Sequence, residues 1–273
     1  MTSSPPGWYP DPWVPAGMRW WDGFGWTHHH AAPAPRPPSK ITPLPFVAAV
    51  GGILAVGVPL ALSEPVISVL DDLKVPAPLL VIIAVTMAYL PSLWWCREVI
   101  RRYGTNSLRN DIGLAMRPVD LGWGPLTWLS CAIAQATVFG LVTAFDVPFE
   151  SNLQSGEGGH TGLGYKIAFA VIAIGLAPVI EEIAFRGVVL RGLLSVTNPP
   201  VAITIQGLLF GAAHFNPVWG SGNIGLVLVL SAAGVVFGAA AVLVKRLAPC
   251  MIAHAIVNSI AIAVFFSGWE PSR

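Results

Sequence analysis

Seven long apolar runs follow Pro43, and shorter, more polar segments separate them. The runs are Leu44–Leu62, Ala77–Cys96, Gly122–Phe145, Leu163–Ile180, Val201–Phe215, Ile224–Val244 and Leu247–Phe266. About 20 apolar residues in a helix cross roughly 30 Å of hydrocarbon, whereas a membrane barrel needs alternating strands of about ten residues, a pattern that this sequence lacks. The pattern therefore predicts an all-α integral membrane protein built as a bundle of about seven transmembrane helices.

The first 43 residues differ from this pattern. Residues 1–30 are rich in Trp, Pro and Gly, which predicts a small aromatic module too irregular for a helix. Residues 31–43 predict an extended Pro-rich linker. The stretch lacks the basic start and apolar core of a secretory signal, so we expect it to stay in the cytosol.

Composition supports a membrane protein. Hydrophobic residues make up 54% of the chain and charged residues only 11%, and the mean hydropathy is +0.67, so few polar residues remain for a soluble surface. The 15 Lys and Arg residues nearly balance the 14 Asp and Glu residues. This balance gives no indication of nucleic-acid binding.

The positions of the basic residues predict the orientation in the membrane. Twelve of the 15 Lys and Arg residues lie in the N-terminal tail or near the ends of the second, fourth and sixth runs, and the remaining three are Lys74, Lys166 and Arg273. Basic residues are retained on the cytosolic side of a membrane. We therefore expect a multi-pass protein of the plasma membrane with a cytosolic N-terminus and an outside C-terminus.

Adjacent glutamates, Glu181 and Glu182, interrupt the fourth run. A charge at the centre of a membrane helix costs about 2.5–3.5 kcal/mol, so its presence needs a reason. Arg186 lies one helical turn after Glu182 and can form an ion pair with it, but adjacent side chains project about 100° apart, so one arginine cannot neutralise both equally. One glutamate is left as a candidate general base, and which of the two it is stays open. Pro178 predicts a bend just before the pair, which can admit water.

Histidines occur in the fifth and seventh runs. Phe210 and His214 have the spacing of one helix face, as do His254 and Asn258. A lone histidine in a membrane helix is as often a hydrogen-bonding group between helices, so neither is specific by itself. Two small-residue motifs that predict close helix packing within the bundle are Gly207-xxx-Gly211 and Gly234-xxx-Gly238.

Three ordered motifs on successive runs resemble the CPBP family of intramembrane proteases, which includes the type II CAAX prenyl endopeptidases and bacterial bacteriocin-processing or self-immunity proteins. The resemblance covers roughly Leu108–Phe266. We therefore expect two transmembrane helices in residues 44–107 and a CPBP-like protease core in residues 108–267, which begins with an interfacial helix at Leu108–Trp123. The motifs are EExxxR at Glu181, Glu182 and Arg186, FxxxH at Phe210 and His214, and HxxxN at His254 and Asn258.

The resemblance implies an endopeptidase that hydrolyses a peptide bond near the cytosolic membrane face with a Glu-activated water and no acyl-enzyme. The substrate would be a peptide or a membrane protein. By the same resemblance, Glu181 is the general base, His214 holds and polarises the water, and His254 with Asn258 stabilises the oxyanion. Glu182 and Arg186 position the site.

A catalytic metal is the alternative to this mechanism. Glu181, His214 and His254 match the ligand types of a catalytic zinc. However, the sequence lacks an HExxH helix, and no carboxylate partner is evident for either histidine. We favour a metal-free glutamate mechanism that requires no cofactor, and zinc stays open.

The N-terminal module also resembles a known domain, a short one of unknown function at the cytosolic end of many bacterial membrane proteins. The resemblance implies no chemistry, and we expect the module to be an adaptor with a cytosolic partner. The matching residues form the pattern GWYPDP…RWWDG…WT and are Trp8, Tyr9, Pro10, Asp11, Pro12, Arg19, Trp20, Trp21, Asp22, Gly23, Trp26 and Thr27.

A non-catalytic function remains a second hypothesis. The chain can be a bacteriocin-immunity-type binding protein, or a small proton-coupled transporter in which Glu181 and Glu182 act as a relay. A relay needs titratable groups along a path through both leaflets. Here the ionisable groups of the runs cluster in one region, which favours hydrolysis.

Overall fold

The computed structural model describes residues 4–14, 17–31, 43–150, 163–215 and 222–267. The chain forms two compact units, Met1–Lys40 and Ile41–Arg273. The predicted Pro-rich linker, residues 31–43, and the C-terminal end after Ser267 lie almost entirely outside the described residues.

The N-terminal unit is a three-stranded antiparallel sheet with the order β1-β2-β3. Its strands are β1 (Gly7–Pro10), β2 (Met18–Trp21) and β3 (Trp26–Ala31). The turn between β2 and β3 is stabilised by Asp22, whose Oδ1 accepts hydrogen bonds from the backbone N–H groups of Phe24 (2.8 Å) and Gly25 (2.7 Å). Gly23 has φ +101° in this turn, a conformation that glycine adopts without steric cost.

Aromatic contacts and one ion pair hold this sheet together in place of a large core. Trp21 and Trp26 pack edge to face with ring centroids 5.3 Å apart. Asp11, whose side chain is fully buried, accepts a hydrogen bond from Arg19 Nε at 2.9 Å and one from the Trp13 N–H at 2.8 Å. Burial alone would raise the pKa of Asp11, but these hydrogen bonds outweigh it and hold the pKa below its usual value. The predicted aromatic module is therefore a small folded sheet.

The second unit consists of helices. They are α1 (Phe46–Asp72), α2 (Ala77–Tyr103), α3 (Leu108–Asp111), α4 (Asp120–Ala144), α5 (Leu163–Ala170), α6 (Ala177–Glu182), α7 (Leu190–Leu193), α8 (Pro199–Ala212), α9 (Ile224–Val244) and α10 (Ala248–Ser267). Two π-helical segments, Val171–Leu176 and Ile183–Val189, join α5, α6 and α7 into one continuous helix. Among the described residues, six helices are long and apolar enough to cross a membrane, so this is a multi-pass membrane protein.

Two helices differ from the sequence-based expectation. The predicted fifth span, Val201–Phe215, is the 14-residue helix α8, about 21 Å long. Its start is set by Asn198, whose side chain accepts a hydrogen bond from the Val201 N–H, and it ends at Ala212. The predicted interfacial helix at Leu108–Trp123 is only the single turn α3, because a non-helical stretch with Gly113 at φ +74° separates it from α4.

Hydrogen bonds between elements define two ends of the bundle. At one end, Leu44 before α1 donates to Arg191 O in α7, and Arg246 after α9 pairs with Asp120 at the start of α4. This basic end also carries the arginines at the end of α2. At the opposite end, the Gly225 N–H in α9 donates to Pro148 O, a few residues after α4. The helix α8 begins five residues after α7, at the basic end, whereas α9 begins at the opposite end.

Close packing between α8 and α9 depends on the predicted glycine motifs. A Cβ atom at Gly234 would lie 2.7 Å from Gly207 Cα, and one at Gly211 would lie 2.3 Å from Val227 O. Such distances leave no room for a side chain, so the two helices touch through their backbones. The expectation that these glycines assemble the bundle is confirmed. The contact brings α9, and Gly234 with it, next to the helix that carries the two glutamates.

Candidate active site

Glu182 belongs to a closed and fully buried network. Its Oε1 accepts hydrogen bonds from Arg186 Nη1 and from His254 Nδ1, both at 2.9 Å. Arg186 also donates to Gly234 O at 3.3 Å, and its guanidinium lies 4.3 Å from the centre of the Phe210 ring. The side chains of Glu182 and Arg186 are both 0% exposed. The spacing of four residues in a helix thus forms the predicted ion pair, and a cation–π contact stabilises its arginine.

Glu181 projects from the same helix into a cavity of about 860 Å³. Its side chain is 19% exposed, in contrast to the enclosed Glu182. Oε1 accepts a hydrogen bond from Tyr89 Oη at 3.1 Å. Oε2 makes no hydrogen bond with the described residues and lies 3.8 Å from His254 Nε2. This carboxylate therefore lies at the cavity with one oxygen that makes no hydrogen bond, although that oxygen atom is itself buried.

His254 joins the two carboxylates. Its Nδ1 lies on Glu182 and its Nε2 faces Glu181. Because a carboxylate can only accept, Nδ1 must carry the hydrogen in this contact. The ring packs between Phe210 and Phe237, with centroid distances of 5.7 and 5.5 Å, which fixes its orientation. From its position on α10, His254 therefore contacts one carboxylate through Nδ1 and faces the other with Nε2.

His214 lines the same cavity but lies two residues beyond the end of α8. The FxxxH spacing predicts that His214 belongs to the same helix as Phe210, but α8 ends before His214. Its Nδ1 lies 2.9 Å from Phe210 O, which can only accept, so Nδ1 donates in this contact. Asn223 is buried and donates from Nδ2 to His214 O at 3.1 Å. These two bonds position the histidine at a helix end.

Asn258 lines the cavity one helical turn after His254, and its Nδ2 donates to Ala173 O at 2.7 Å. Ala173 O has lost its partner in the helix. The Ala177 N–H, its α-helical donor, bonds instead to Ile172 O in the π-helical segment, and the next possible donor, residue 178, is proline. Asn258 therefore satisfies the carbonyl that Pro178 leaves unpaired, about two helical turns before Glu181.

The structure thus gathers the predicted site residues in two layers. Glu181, His214, His254 and Asn258 line the cavity, and Glu182 and Arg186 lie behind them. These side chains come from three separate segments of the chain, namely the α6 helix with its following π turn, the turn after α8, and α10. Their catalytic roles remain predictions.

The geometry of the site contains one observation that favours a zinc ion and one that opposes it. Glu182 gives His254 the carboxylate partner that zinc-bound histidines usually have, although no such partner is evident from the sequence alone. However, within the described parts of the chain no three His, Cys, Asp or Glu side chains lie close enough together to hold a metal ion. Glu181, His214 and His254 therefore do not fit the zinc ligand set in this arrangement.

Comparison with known proteins identifies two regions. Residues 163–260 match the family model described as type II CAAX prenyl endopeptidase Rce1-like, and residues 6–39 match that of a protein of unknown function, DUF2510. The chain carries an Rce1-like domain. No match was found among curated proteins or among solved structures. The Rce1-like domain contains every predicted site residue and indicates a membrane protease.

Two residues that touch the site escape the sequence motifs. Tyr89 on α2 lies outside the Rce1-like domain, and only its polar hydroxyl within an apolar run hinted at a partner. Asn223 lies just before α9 and has no spacing relation to His214 that a sequence pattern could detect. The first two helices therefore contribute directly to the site of the Rce1-like domain.

Proposed function

We propose that this protein is an intramembrane endopeptidase in which Glu181 activates a water molecule for hydrolysis of a peptide bond. One observation carries the proposal. Both adjacent carboxylates have an Oε2 without a hydrogen bond to the described residues, but only that of Glu181 lines the cavity. A general base needs such an oxygen to take a proton from water. Glu182 accepts hydrogen bonds from Arg186 and His254 through Oε1 and acts as a positioning residue.

The chemical steps follow from these contacts. Glu181 Oε2 removes a proton from a water molecule that His214 Nε2 helps to hold, and the water oxygen attacks the carbonyl carbon of the peptide. The C–O bond forms as the carbonyl becomes an oxyanion. When this tetrahedral intermediate collapses, the C–N bond breaks, and Glu181 returns its proton to the leaving nitrogen. No acyl-enzyme forms, because the nucleophile is water.

We assign stabilisation of the oxyanion to His254 and Asn258. Two carboxylates and one guanidinium leave one excess negative charge in this group, and a protonated His254 balances it. With Nδ1–H on Glu182, its Nε2–H is then available to the oxyanion. Asn258 has a second amide N–H besides the one on Ala173 O, and we assign that N–H to the same oxyanion.

We also propose that the basic end of the bundle faces the cytosol, together with the N-terminal adaptor. The support is the concentration of arginines at that end and the rule that such residues stay inside. Because α10 begins at the basic end and crosses once, the C-terminus then lies outside. The adaptor takes no part in hydrolysis and is free to bind a cytosolic partner.

The decisive experiment compares new peptide ends in membranes of cells that carry the wild type or Glu181→Gln. We expect loss of the cleavage products, corresponding to a fall in turnover of ~10²–10⁴, because the amide cannot accept the proton. Glu98→Gln is the matched control. Glu98 pairs with Arg101 and Arg102 at the basic end, outside the cavity, so this variant should cleave normally.

Three further results bear on the proposal. A chain without residues 1–39 should retain cleavage, and a metal chelator should leave turnover of the purified protein unchanged. Loss of turnover on chelation with recovery on added zinc would replace the metal-free mechanism. Identical peptide ends in the wild type and Glu181→Gln cells would contradict the protease function itself and favour a binding protein or transporter.

A further inference from the structure

A second buried arginine lies in the helix of the glutamates, five residues after Arg186. This residue, Arg191 in α7, is only 4% exposed. Arg186 contacts a carboxylate, a backbone carbonyl and an aromatic ring, whereas the guanidinium of Arg191 makes no hydrogen bond, ion pair or cation–π contact with the described residues. An arginine keeps its charge in proteins. This buried charge therefore needs a counterion that the described residues do not supply.

The unpaired N–H groups of Arg191 still reach the surface of the protein. Fully enclosed side-chain nitrogen or oxygen atoms without a partner occur, among the described residues, only at Glu181, Glu182, Arg186, Gln206 and Asn223. Arg191 is not in this group, so its nitrogen atoms retain some exposed area although most of the side chain is buried. The guanidinium is therefore open to a ligand from outside the bundle.

Gly113 forms part of the wall against which Arg191 lies. It has φ +74°, and a Cβ atom there would lie 2.7 Å from Arg191 Nη2 and 3.0 Å from Lys245 O. The carbonyl of Gly113 accepts a hydrogen bond from the Leu247 N–H at 2.9 Å. These contacts hold the segment after α9 close to Arg191, and that segment carries two more basic residues, Lys245 and Arg246.

The acidic residues of this region are already engaged. Asp120 is fully buried and pairs with Arg246, whose Nε lies 3.0 Å from Oδ2. Asp111 attracts Arg191 only from beyond ion-pair distance, and it accepts hydrogen bonds from the N–H and the hydroxyl of Thr105, both at 2.8 Å. Neither carboxylate is left to pair with Arg191, so the counterion comes from another molecule.

Exposed apolar side chains next to this region indicate where that molecule comes from. Met116, Val119 and Leu121 are 64%, 55% and 63% exposed. They lie just before and at the start of α4, a helix of membrane-crossing length, and Arg117 lies among them. Such a mixture of apolar and basic side chains is stable where hydrocarbon meets headgroups, and basic pockets between helices at that level bind anionic headgroups. A free anion would leave the exposed apolar side chains without an explanation.

We propose that Arg191 forms the centre of a binding site for the phosphate group of an anionic membrane lipid at the basic end of the bundle. Two guanidinium N–H groups bind two phosphate oxygens in parallel, a geometry that lysine does not reproduce. Lys245 and Arg117 add positive charge near the headgroup, and the acyl chains lie against the exposed apolar residues at the start of α4. The site is separate from the cavity, whose lining includes none of these residues.

The position of Arg191 links this lipid to the active site through one helix. Arg191 lies nine residues after Glu182 on the continuous helix that carries both glutamates. A bound phosphate would neutralise the buried charge and fix the end of that helix against the Gly113 segment. Because a ligand that binds only the folded state stabilises it, the stability of the protein should depend on anionic lipid.

The test measures lipid binding to the purified full-length protein in neutral detergent, by native mass spectrometry and by thermal unfolding. The probes are phosphatidylglycerol, zwitterionic phosphatidylcholine and inorganic phosphate. Arg191→Met removes the guanidinium without breaking a hydrogen bond or ion pair to the described residues. Arg97→Met is the matched control, because Arg97 is exposed near the basic end of α2 and the variant loses the same charge.

We expect phosphatidylglycerol to bind the wild type and Arg97→Met and to raise their unfolding temperatures more than phosphatidylcholine or inorganic phosphate does. Arg191→Met should bind phosphatidylglycerol roughly 10–100-fold more weakly, because charge-assisted hydrogen bonds are lost. Arg191→Lys should lie between the two, since an ammonium keeps the charge but not the planar fork of the guanidinium.

Three results would overturn the proposal. One is equal affinity of the wild type and Arg191→Met for phosphatidylglycerol, and another is equal binding of phosphatidylglycerol and phosphatidylcholine to the wild type. The third is stabilisation by inorganic phosphate that also displaces the lipid, which would assign the site to a free anion. If Arg191→Met does not fold, Arg191→Lys decides, because an affinity equal to that of the wild type contradicts recognition by the guanidinium. None of these measurements depends on peptide cleavage.

Discussion

The two faces of the α6 helix place two adjacent carboxylates in different surroundings. On one face, Glu182 is enclosed and contacts Arg186 and His254. On the other face, Glu181 borders a large cavity, contacts Tyr89 through one oxygen and keeps the other without a hydrogen bond. The residues are adjacent in sequence, yet a rotation of about 100° places one side chain in packed surroundings and the other at the cavity.

This difference teaches how a membrane helix can hold a reactive carboxylate. The charge of Glu182 is balanced within the protein interior. Glu182 also holds His254 in place through its contact with Nδ1. Glu181 then meets a histidine whose orientation is already fixed, and no structural change is needed to align the two side chains. Preorganisation of this kind reduces the cost of reaching the transition state.

The largest effect is expected on the enclosed face. Arg186→Met removes one partner of a fully buried pair and leaves Glu182 charged and uncompensated, which should destabilise the protein by ~3–5 kcal/mol. Thermal unfolding in detergent measures this loss. The double variant Glu182→Gln with Arg186→Met should recover most of the stability, because it removes both charges and retains an acceptor for His254. A double variant no more stable than Arg186→Met would contradict the structural role of the pair.

The next effect concerns Asn258, which contacts Ala173 O and lines the cavity. Asn258→Ala should lower stability by about 1 kcal/mol through the unpaired carbonyl and turnover by ~10²–10³ through the lost oxyanion donor. Pro178→Ala restores a backbone N–H close to that carbonyl. In the double variant we therefore expect stability to return while turnover stays low.

This cycle separates the two roles of Asn258. Unfolding temperatures and turnover are measured for the wild type, both single variants and the double variant. Recovery of turnover together with stability would show that Asn258 acts only by holding the helix before Glu181. Failure of both to recover would mean that residue 178 does not reach the Ala173 carbonyl.

The smallest effect is expected on the open face. Tyr89→Phe removes the hydroxyl that binds Glu181 Oε1, so the carboxylate loses its orientation and kcat should fall roughly tenfold with KM unchanged. Trp95→Phe on the same helix is the control. It removes the Nε1–H bond to Ala48 O at 3.0 Å, which lies away from the cavity, and should alter stability but not kcat. Equal kcat values for Tyr89→Phe and the wild type would exclude a positioning role.

Much of the fold follows from local patterns. Six of the seven apolar runs correspond to helices of membrane-crossing length, and the described residues between 4 and 31 form a small sheet rich in aromatic residues. The remaining run, the fifth, forms the short helix α8, because hydropathy averages over a window and does not register where Asn198 starts a helix or where the chain turns at Ala213. The interfacial helix was overestimated for a similar reason, since a mixed polar and apolar composition does not reveal the turn at Gly113.

By itself the sequence determined which side chains are too costly to leave in lipid, and hence that Glu181, Glu182, Arg186, His214, His254 and Asn258 must find polar surroundings. The four-residue spacing of Glu182 and Arg186 also determined their pairing, because a helix repeats every 3.6 residues. Only the tertiary structure decided that Tyr89 meets Glu181 and that Asn258 replaces a missing N–H. These depend on contacts between helices distant in sequence, and local periodicity carries no information about how such helices pack against one another.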